Sequence, residues 1–511
     1  MNSRINRRDF LKLSGLLPLG VAAPRLMNVL SGSAAAAQGQ KNVIVVVFDA
    51  FSAYNIGLYG YSRDTTPNLA RIAKRAIVYH NHFAGSNFTT SGTASLLTGT
   101  LPWTNRAINP DGEVAAPFAT KTIFSAFEDY HRIAYTHNGW AYTLLRQFER
   151  QIDELVPREK LFLATYSGFI ETLFRNDEDI ASVSWTRDMQ IGEGYAYSLF
   201  LAHLYKVLEE GKVANLQPLF PRGLPTTGSD DAFLLEQAVD WLSNVLTVVP
   251  QPFMGYFHFL PPHFPYRTPI EFYNHFKHDG YKPLEKPIDI FAEHRVMTNL
   301  LSHRTEYDEF ILYVDREFGR FYDALEASGL LENTWVVFTS DHGEMFERGI
   351  MGHSTDVLYQ PVIRIPLLIF EPGREVGMDV RTATSAVDVL PTLAHLTGHP
   401  IPGWAEGTLL PPYADANPDP NRSLYVVRAQ DNDPSAALTR ASIMLLRGNK
   451  KLLYYTGYPD RGVEELVQLF DIQADPEELN DLYASQKDVA AELLAEAKSK
   501  LAEVNKPYVQ G

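Results

Sequence analysis

Trp335-Val336-Val337-Phe338-Thr339-Ser340-Asp341-His342-Gly343-Glu344 is the stretch on which the fold turns. An apolar, β-rich run stops abruptly and gives way to polar residues and glycine. Such a run reads as a buried parallel strand. In open α/β sheets, ligands sit outside the carboxyl ends of these strands. Asp341 and His342 stand there, a hard oxygen donor beside an imidazole. Neighbours along a strand face opposite ways, but in the turn after it both can converge on one ion. The plainer alternative is an Asp that caps a helix and a satisfied core histidine.

Moving outward, Asn42-Val43-Ile44-Val45-Val46-Val47-Phe48-Asp49 is a second such strand, again ending in a carboxylate that is either a cap or a metal ligand. Tyr59 to Leu69 is a turn into a helix running from Asn68 to about Arg75, and Val78 to Phe83 reads as a strand. Asn87-Phe88-Thr89-Thr90-Ser91-Gly92-Thr93-Ala94-Ser95 crowds hydroxyls before a short helix. A helix N-terminus favours an anion or an alkoxide, so a hydroxyl there is a candidate nucleophile if its pKa is lowered. The alternative is an N-cap cluster without chemistry.

Lys121 to Asp129 and Arg132 to Asn138 read as helix and strand, and 139–227 as an insertion or lid whose aromatic residues pack. Asp230 to Leu246 is an amphipathic helix. Phe253 to Phe259 is a strand, followed by a loop, Leu260 to Tyr266, stiffened by prolines. His258 and His263 there face one cleft or are structural. Tyr307 to Gly329 is a long helix, Arg364 to Phe370 a strand, and Asp388 to Leu393 part of a helix. This alternation predicts an α/β fold, a large mostly parallel sheet flanked by helices. From about Ile401 the character changes. Strands at Ser423–Arg428, Ile443–Arg447 and Lys451–Tyr455, and a helix Ala490–Val504, predict a smaller C-terminal α+β subdomain over 401–511, after a catalytic domain over 38–400.

The chain has 511 residues, a net charge of −16 and a pI near 5.4, which argues against nucleic acid as a partner. Anion binding would then need local cations or a metal. There is no cysteine, hence no disulfide, zinc-thiolate cluster or thiol nucleophile. Arg7-Arg8-Asp9-Phe10-Leu11-Lys12 is a twin-arginine pattern, followed by a broken apolar stretch and the small residues Ser33 to Ala37. Residues 1–37 are therefore expected to be a signal peptide, with the twin-arginine export machinery as partner and a periplasmic or secreted mature chain. The alternative is a chance Arg pair before an anchor helix, but the stretch is too short and broken by Gly and Pro to span a membrane, and no other stretch is long enough.

Several stretches together resemble the sulfatase family of the alkaline phosphatase superfamily: the strand ending in Asp49, Tyr59-Gly60-Tyr61 with Thr66-Pro67-Asn68-Leu69, Ala94-Ser95-Leu96-Leu97-Thr98-Gly99, Pro262-His263-Phe264-Pro265-Tyr266, Ser340 to Glu344, Gly352-His353 and Arg364-Ile365-Pro366-Leu367. They occur in family order from about Lys41 to Leu482. The family's true sulfatases open the nucleophile motif with a Cys or Ser that becomes formylglycine, with Pro or Ala two residues on and Arg four residues on. Counting back from Ala94, that place belongs here to Thr89, with Ser91 and Thr93 at the other two. The resemblance therefore implies no formylglycine and a plain Thr nucleophile, as in the superfamily's phosphodiesterases and phosphotransferases. Ala50 stands where many sulfatases carry a second metal Asp, and His342 where Asn is usual.

What this resemblance implies is one divalent ion (Mn, Zn, Mg or Ca) held by Asp49, Thr89 Oγ, Asp341 and His342. Mixed oxygen and nitrogen donors favour Mn²⁺ or Zn²⁺. His263 and His353 would contact the non-bridging oxygens or protonate the leaving group. His258 would join them or build a second metal site, and His137 and Asn138 are weaker candidates for substrate contact. The expected substrate is a small-molecule, lipid or glycan anionic ester. Two alternatives stay open: a sulfuric ester hydrolase without formylglycine, and an inactive member that binds an anionic glycan or lipid head group.

Overall fold

The computed structural model describes residues 40–164, 211–227, 231–292, 299–414, 419 and 421–509. The expected signal segment 1–37 and much of the 139–227 insertion lie outside the described residues.

Eight strands form the main sheet: β1 (Asn42–Phe48), β2 (Ile77–Tyr79), β3 (His131–Thr136), β4 (Glu154–Leu155), β5 (Phe253–Phe259), β6 (Thr334–Thr339), β7 (Leu367–Phe370) and β8 (Met378–Val380). Their spatial order is β8-β2-β7-β6-β1-β5-β3-β4. Pairing is parallel except at β7, which runs against both β2 and β6. The continuous apolar run of β1 has a direct cause. Val43, Val45 and Val47 enter one core layer and Ile44, Val46 and Phe48 the other, so both faces are covered. The helix Leu300–Ala327 supplies Phe310, Ile311, Val314, Phe318 and Phe321 to one layer. The helices Thr89–Thr98 and Val389–Leu396 supply Leu96, Leu97, Leu390 and Leu393 to the other.

A second sheet of four antiparallel strands follows: β9 (Ser423–Arg428), β10 (Ala441–Arg447), β11 (Lys450–Tyr458) and β12 (Val463–Asp471). The helix Lys487–Val509 packs on it through Ala490, Leu493 and Ala497. Among the described residues, no helix is long and apolar enough to cross a membrane.

Several boundaries differ from expectation for local reasons. The long helix begins at Leu300 rather than Tyr307, because its first turns are polar and partly exposed and lack apolar periodicity. The expected strand Val78–Phe83 is two pieces; His82–Phe83 leaves the main sheet and pairs with Thr384–Ser385. The strand expected from Arg364 starts at Leu367, since Pro366 has no N–H for the ladder. The helix expected over Lys121–Asp129 is one turn, Ile123–Ala126, entered by a Thr122–Ser125 capping box.

Candidate active site

The three central strands end side by side. Val47 is in register with His258 on β5 and with Thr339 on β6, and the Asp49 N–H donates to the Phe259 carbonyl at 2.9 Å. The Ser340 hydroxyl joins the ends of β1 and β6: it donates to the Phe48 carbonyl at 2.7 Å and accepts from the Phe51 N–H at 2.9 Å. Asp49, Asp341 and His342 therefore leave their strands at one point, all fully buried, with ligand atoms within 4.8 Å of one another.

The donors are arranged for a cation. His342 Nδ1 donates to the Gly343 carbonyl at 2.9 Å, which leaves the Nε2 lone pair facing inward. That nitrogen lies 3.4 Å from Asp49 Oδ1 and 3.6 Å from Asp341 Oδ2. Both oxygens are buried without a hydrogen-bond partner, a state that costs roughly 1–3 kcal/mol per group unless something compensates. Donors about 2.1 Å from one ion stand about 3–3.5 Å apart, so this set fits a divalent metal. The electrostatics agree. Burial works to raise the Asp49 carboxyl, but His263, His258 and His342 outweigh it and hold it well below the usual range. Burial and the Asp49 charge push Asp341 up, and burial pushes His342 down.

Thr89 is the first residue of the helix Thr89–Thr98, and its Oγ1 is 3.3 Å from His342 Nε2. The neighbouring hydroxyls are used elsewhere: Thr90 donates to the Pro110 carbonyl and Ser91 to the Ala107 carbonyl. Gly92 allows the approach. A Cβ there would lie 2.3 Å from the Asp341 carbonyl oxygen, so only glycine lets this first turn rest on the metal-ligand loop.

Asn138 enters the cluster from below β3. Its Oδ1 caps the helix Gly139–Gln147 by accepting from Trp140 N and Ala141 N, and its Nδ2 donates to Asp49 Oδ2 at 2.5 Å and lies 3.5 Å from Thr89 Oγ1. Its amide thus meets two site residues, Asp49 and Thr89. His137 departs from expectation. Its ring stacks on Phe233 at 4.1 Å and on Phe162 at 6.1 Å, with both nitrogens buried and unpartnered, and burial holds it neutral. It packs into an aromatic wall with Phe162 and Phe233, whose own ring centroids lie 6.4 Å apart.

His258 is fully buried, with Nε2 3.4 Å from Asp49 Oδ2 and 3.8 Å from Asp341 Oδ2, and Nδ1 3.1 Å from the Tyr256 hydroxyl. Burial disfavours charge on it, but Asp49 and Asp341 outweigh that and raise its pKa. The His353 ring packs at a tilt, 4.2 Å from the His342 ring and 4.9 Å from the His263 ring. His263 donates from Nδ1 to the Phe264 carbonyl at 2.6 Å. Asn87 ties the loops together by donating to the carbonyls of His353 and Thr355. Sequence reasoning gave Glu344 no role. It is buried, with Oε2 3.2 Å and Oε1 3.3 Å from His353 Nδ1. Burial raises its carboxyl to about 7 and lowers His353 to about 3.

Residues 41–399 match the family model described as Sulfatase, and residues 353–507 that described as N-sulphoglucosamine sulphohydrolase, C-terminal. Arylsulfatase K of Bos taurus is 27% identical over 289 residues, 50% of this chain and 52% of that protein, so the match spans about half its length. Choline-sulfatase of Rhizobium meliloti (strain 1021) is 26% identical over 471 residues, 87% of this chain and 82% of that protein. Among solved structures, the phosphonate monoester hydrolase of Agrobacterium radiobacter superposes with a TM-score of 0.63 at 18% identity, covering 92% of this chain and 96% of that one. A 2-O GAG sulfatase gives 0.63 at 17% identity, covering 92% and 94%. These two likenesses bear on the fold.

Proposed function

The chain belongs to the sulfatase family, a family of hydrolases that use a metal ion, and from that premise we propose that it hydrolyses or transfers phosphate esters, diesters above all, through Thr89. One observation carries this reading. The hydroxyl at the head of the helix Thr89–Thr98 stands 3.3 Å from His342 Nε2, beside the unpartnered oxygens of Asp49 and Asp341, in a chain with no cysteine to supply formylglycine.

A divalent ion on Asp49, Asp341 and His342 would lower the pKa of the Thr89 hydroxyl and neutralise charge on the phosphoryl oxygens. Thr89 Oγ attacks phosphorus in line; the new O–P bond forms as the bond to the leaving oxygen breaks with its electron pair. His263 and His353 face the leaving side, where one donates to a non-bridging oxygen and one protonates the departing alcohol. Water, or an acceptor alcohol, then attacks the phospho-threonine and frees Thr89. Asn138 holds Asp49 and stands beside Thr89, so its part is to position rather than to bind substrate.

A second reading is supported by the names of the relatives, several of which are sulfatases. Sulfate-ester hydrolysis through Thr89 is chemically harder, because sulfo-threonine lacks the hemiacetal route by which formylglycine releases sulfate. The mature enzyme is proposed to be periplasmic or secreted, exported by the twin-arginine route on the strength of Arg7-Arg8, with 38–400 as its catalytic domain.

The test is mass spectrometry of the metal-loaded protein after brief incubation with aryl phosphodiesters, phosphomonoesters and sulfate esters. The expected result is a phosphoryl adduct on Thr89, absent in Thr89→Ala. Turnover of sulfate esters alone, without any phosphorus adduct, would return the chain to the second reading.

A further inference from the structure

We propose that Glu344 is a positioning residue that locks His353 with Nδ1 toward its carboxylate and Nε2 toward the leaving oxygen, making Glu344–His353 the proton-donating dyad of the site. This rests on the site assignment above and adds a residue and a division of labour to it.

The backbone builds the dyad. Met345–Glu347 and Ile350–Gly352 form an antiparallel hairpin whose end pair is Met345 with Gly352. Extending that register by one places Glu344 across from His353, nine residues away in sequence. Both are buried, and both carboxylate oxygens lie within 3.3 Å of the same ring nitrogen. Gly352 keeps the space open: its φ is +99°, and a Cβ there would press on Glu344 Oε1 at 3.3 Å. The His353 ring in turn packs at a tilt against those of His342 and His263. A carboxylate on the far nitrogen of an imidazole packed against neighbouring rings fixes both its tautomer and its rotation.

Proton accounting follows from the pair's composition. The dyad carries one proton on the line between Glu344 and Nδ1 and one on Nε2. As the ester bond breaks and its electron pair goes to the leaving oxygen, the Nε2 proton passes to that oxygen. The dyad is left as a carboxylate hydrogen-bonded to neutral Nδ1–H imidazole. The other proton never leaves the Glu344–Nδ1 line, so His353 is never stranded as an imidazolate.

The experiment is a leaving-group series, phenyl to p-nitrophenyl phosphodiesters, on wild type, Glu344→Gln, Glu344→Ala, His353→Ala and the double variant Glu344→Ala with His353→Ala, with metal content and unfolding midpoint measured alongside. Loss of a proton donor on the order of 10²–10⁴-fold is expected for phenyl, and a much smaller loss for p-nitrophenyl, whose oxygen departs without a proton. Glu344→Ala and His353→Ala should give the same slope, and the double variant no further loss. An equal loss across the series in a folded, metal-loaded Glu344 variant overturns the assignment. If wild type turns over only sulfate esters, the phosphoester reading fails while the same series of aryl sulfates still decides the dyad.

Discussion

Gly92→Ala tests whether the helix Thr89–Thr98, which carries the proposed nucleophile, rests on the Asp341 loop. A Cβ at this position would lie 2.3 Å from the Asp341 carbonyl oxygen and 3.0 Å from its carbonyl carbon, whereas real Cβ contacts stay beyond 3.0 Å. The obstacle is backbone on a buried turn, not the flexible end of a side chain, so it cannot swing aside. Either the first helical turn or the Asp341 loop must give by at least about 0.7 Å, and both carry site residues. Overpacking of this kind costs about 1–3 kcal/mol. A misplacement near 1 Å costs about 10²-fold in rate, because Thr89 Oγ1 and the Asp341 carboxylate would no longer share one ion. The assay reads kcat/KM on an aryl ester panel, metal affinity by titration and the unfolding midpoint; the affinity readout needs no knowledge of the substrate. Gly403→Ala, where an added Cβ meets nothing within 4 Å, is the control and should stay within about 0.5 kcal/mol of wild type. Wild-type rate, affinity and midpoint in Gly92→Ala would refute the packing of Thr89–Thr98 on Asp341, and with it the placement of Thr89.

Asp341→Asn should act in opposite directions on the two forms of the protein. Without metal it removes a buried like charge beside Asp49, so the unfolding midpoint rises; the upward shift on adding Mn²⁺ or Zn²⁺ should disappear with it, and a retained metal-induced shift would clear Asp341 of ligand duty. Glu344→Gln should change the pH dependence of stability. In the folded protein this carboxyl, raised to about 7 from 4.5, keeps a proton that the unfolded chain has lost. Its contribution is therefore complete below about pH 4.5 and lost as pH climbs to about 7, by an amount on the order of 3 kcal/mol. Wild type should lose stability relative to Glu344→Gln across that window, and parallel profiles would mean that Glu344 ionises freely. His353, lowered to about 3 from 6.5, works the other way: its contribution is complete above about pH 6.5 and lost as pH falls toward 3.

The sheet and the acidic pole of the site are written locally in the chain. The apolar runs of β1 and β6 are buried, and the polar residues that follow them are Asp49 after Phe48 and, after Thr339, Ser340-Asp341-His342; β5 carries its polar residue, His258, within the strand. Those ends coincide in space only because β6 and β5 flank β1 in matching register, and the alternation of strand and helix predicts a sheet of this kind. The helix Thr89–Thr98, which carries the proposed nucleophile, is legible in the same way, from hydroxyls and glycine ahead of a short apolar run. The local pattern does not say which of its hydroxyls turns inward; the family resemblance singles out Thr89, and the rotation of the first turn that brings Thr89 to His342 goes with the contact of Gly92 with Asp341, about 250 residues away in the chain.

The residues whose surroundings sequence patterns do not report share one physical trait: their partners are distant or their two ends do different things. His137 and Asn138 are neighbours at the end of β3, and composition gives no reason to separate them. The structure does, because His137 turns into the wall of Phe162 and Phe233 while Asn138 uses its oxygen as a helix cap and its nitrogen on Asp49. Glu344 stands in the deciding stretch itself, yet its partner is supplied by a hairpin of two short strands with no strong β pattern. A carboxylate two residues beyond a metal-ligand pair reads equally well as a third ligand or a solvated turn. The Met345–Gly352 pairing sets it beside His353 Nδ1. The proposed ligands of the site thus follow strand ends, which sequence patterns report, and the proposed proton-donating pair spans a hairpin, which they do not. Substitutions at Glu344 should therefore leave metal binding intact while altering leaving-group dependence, and substitutions at Asp341 should abolish both.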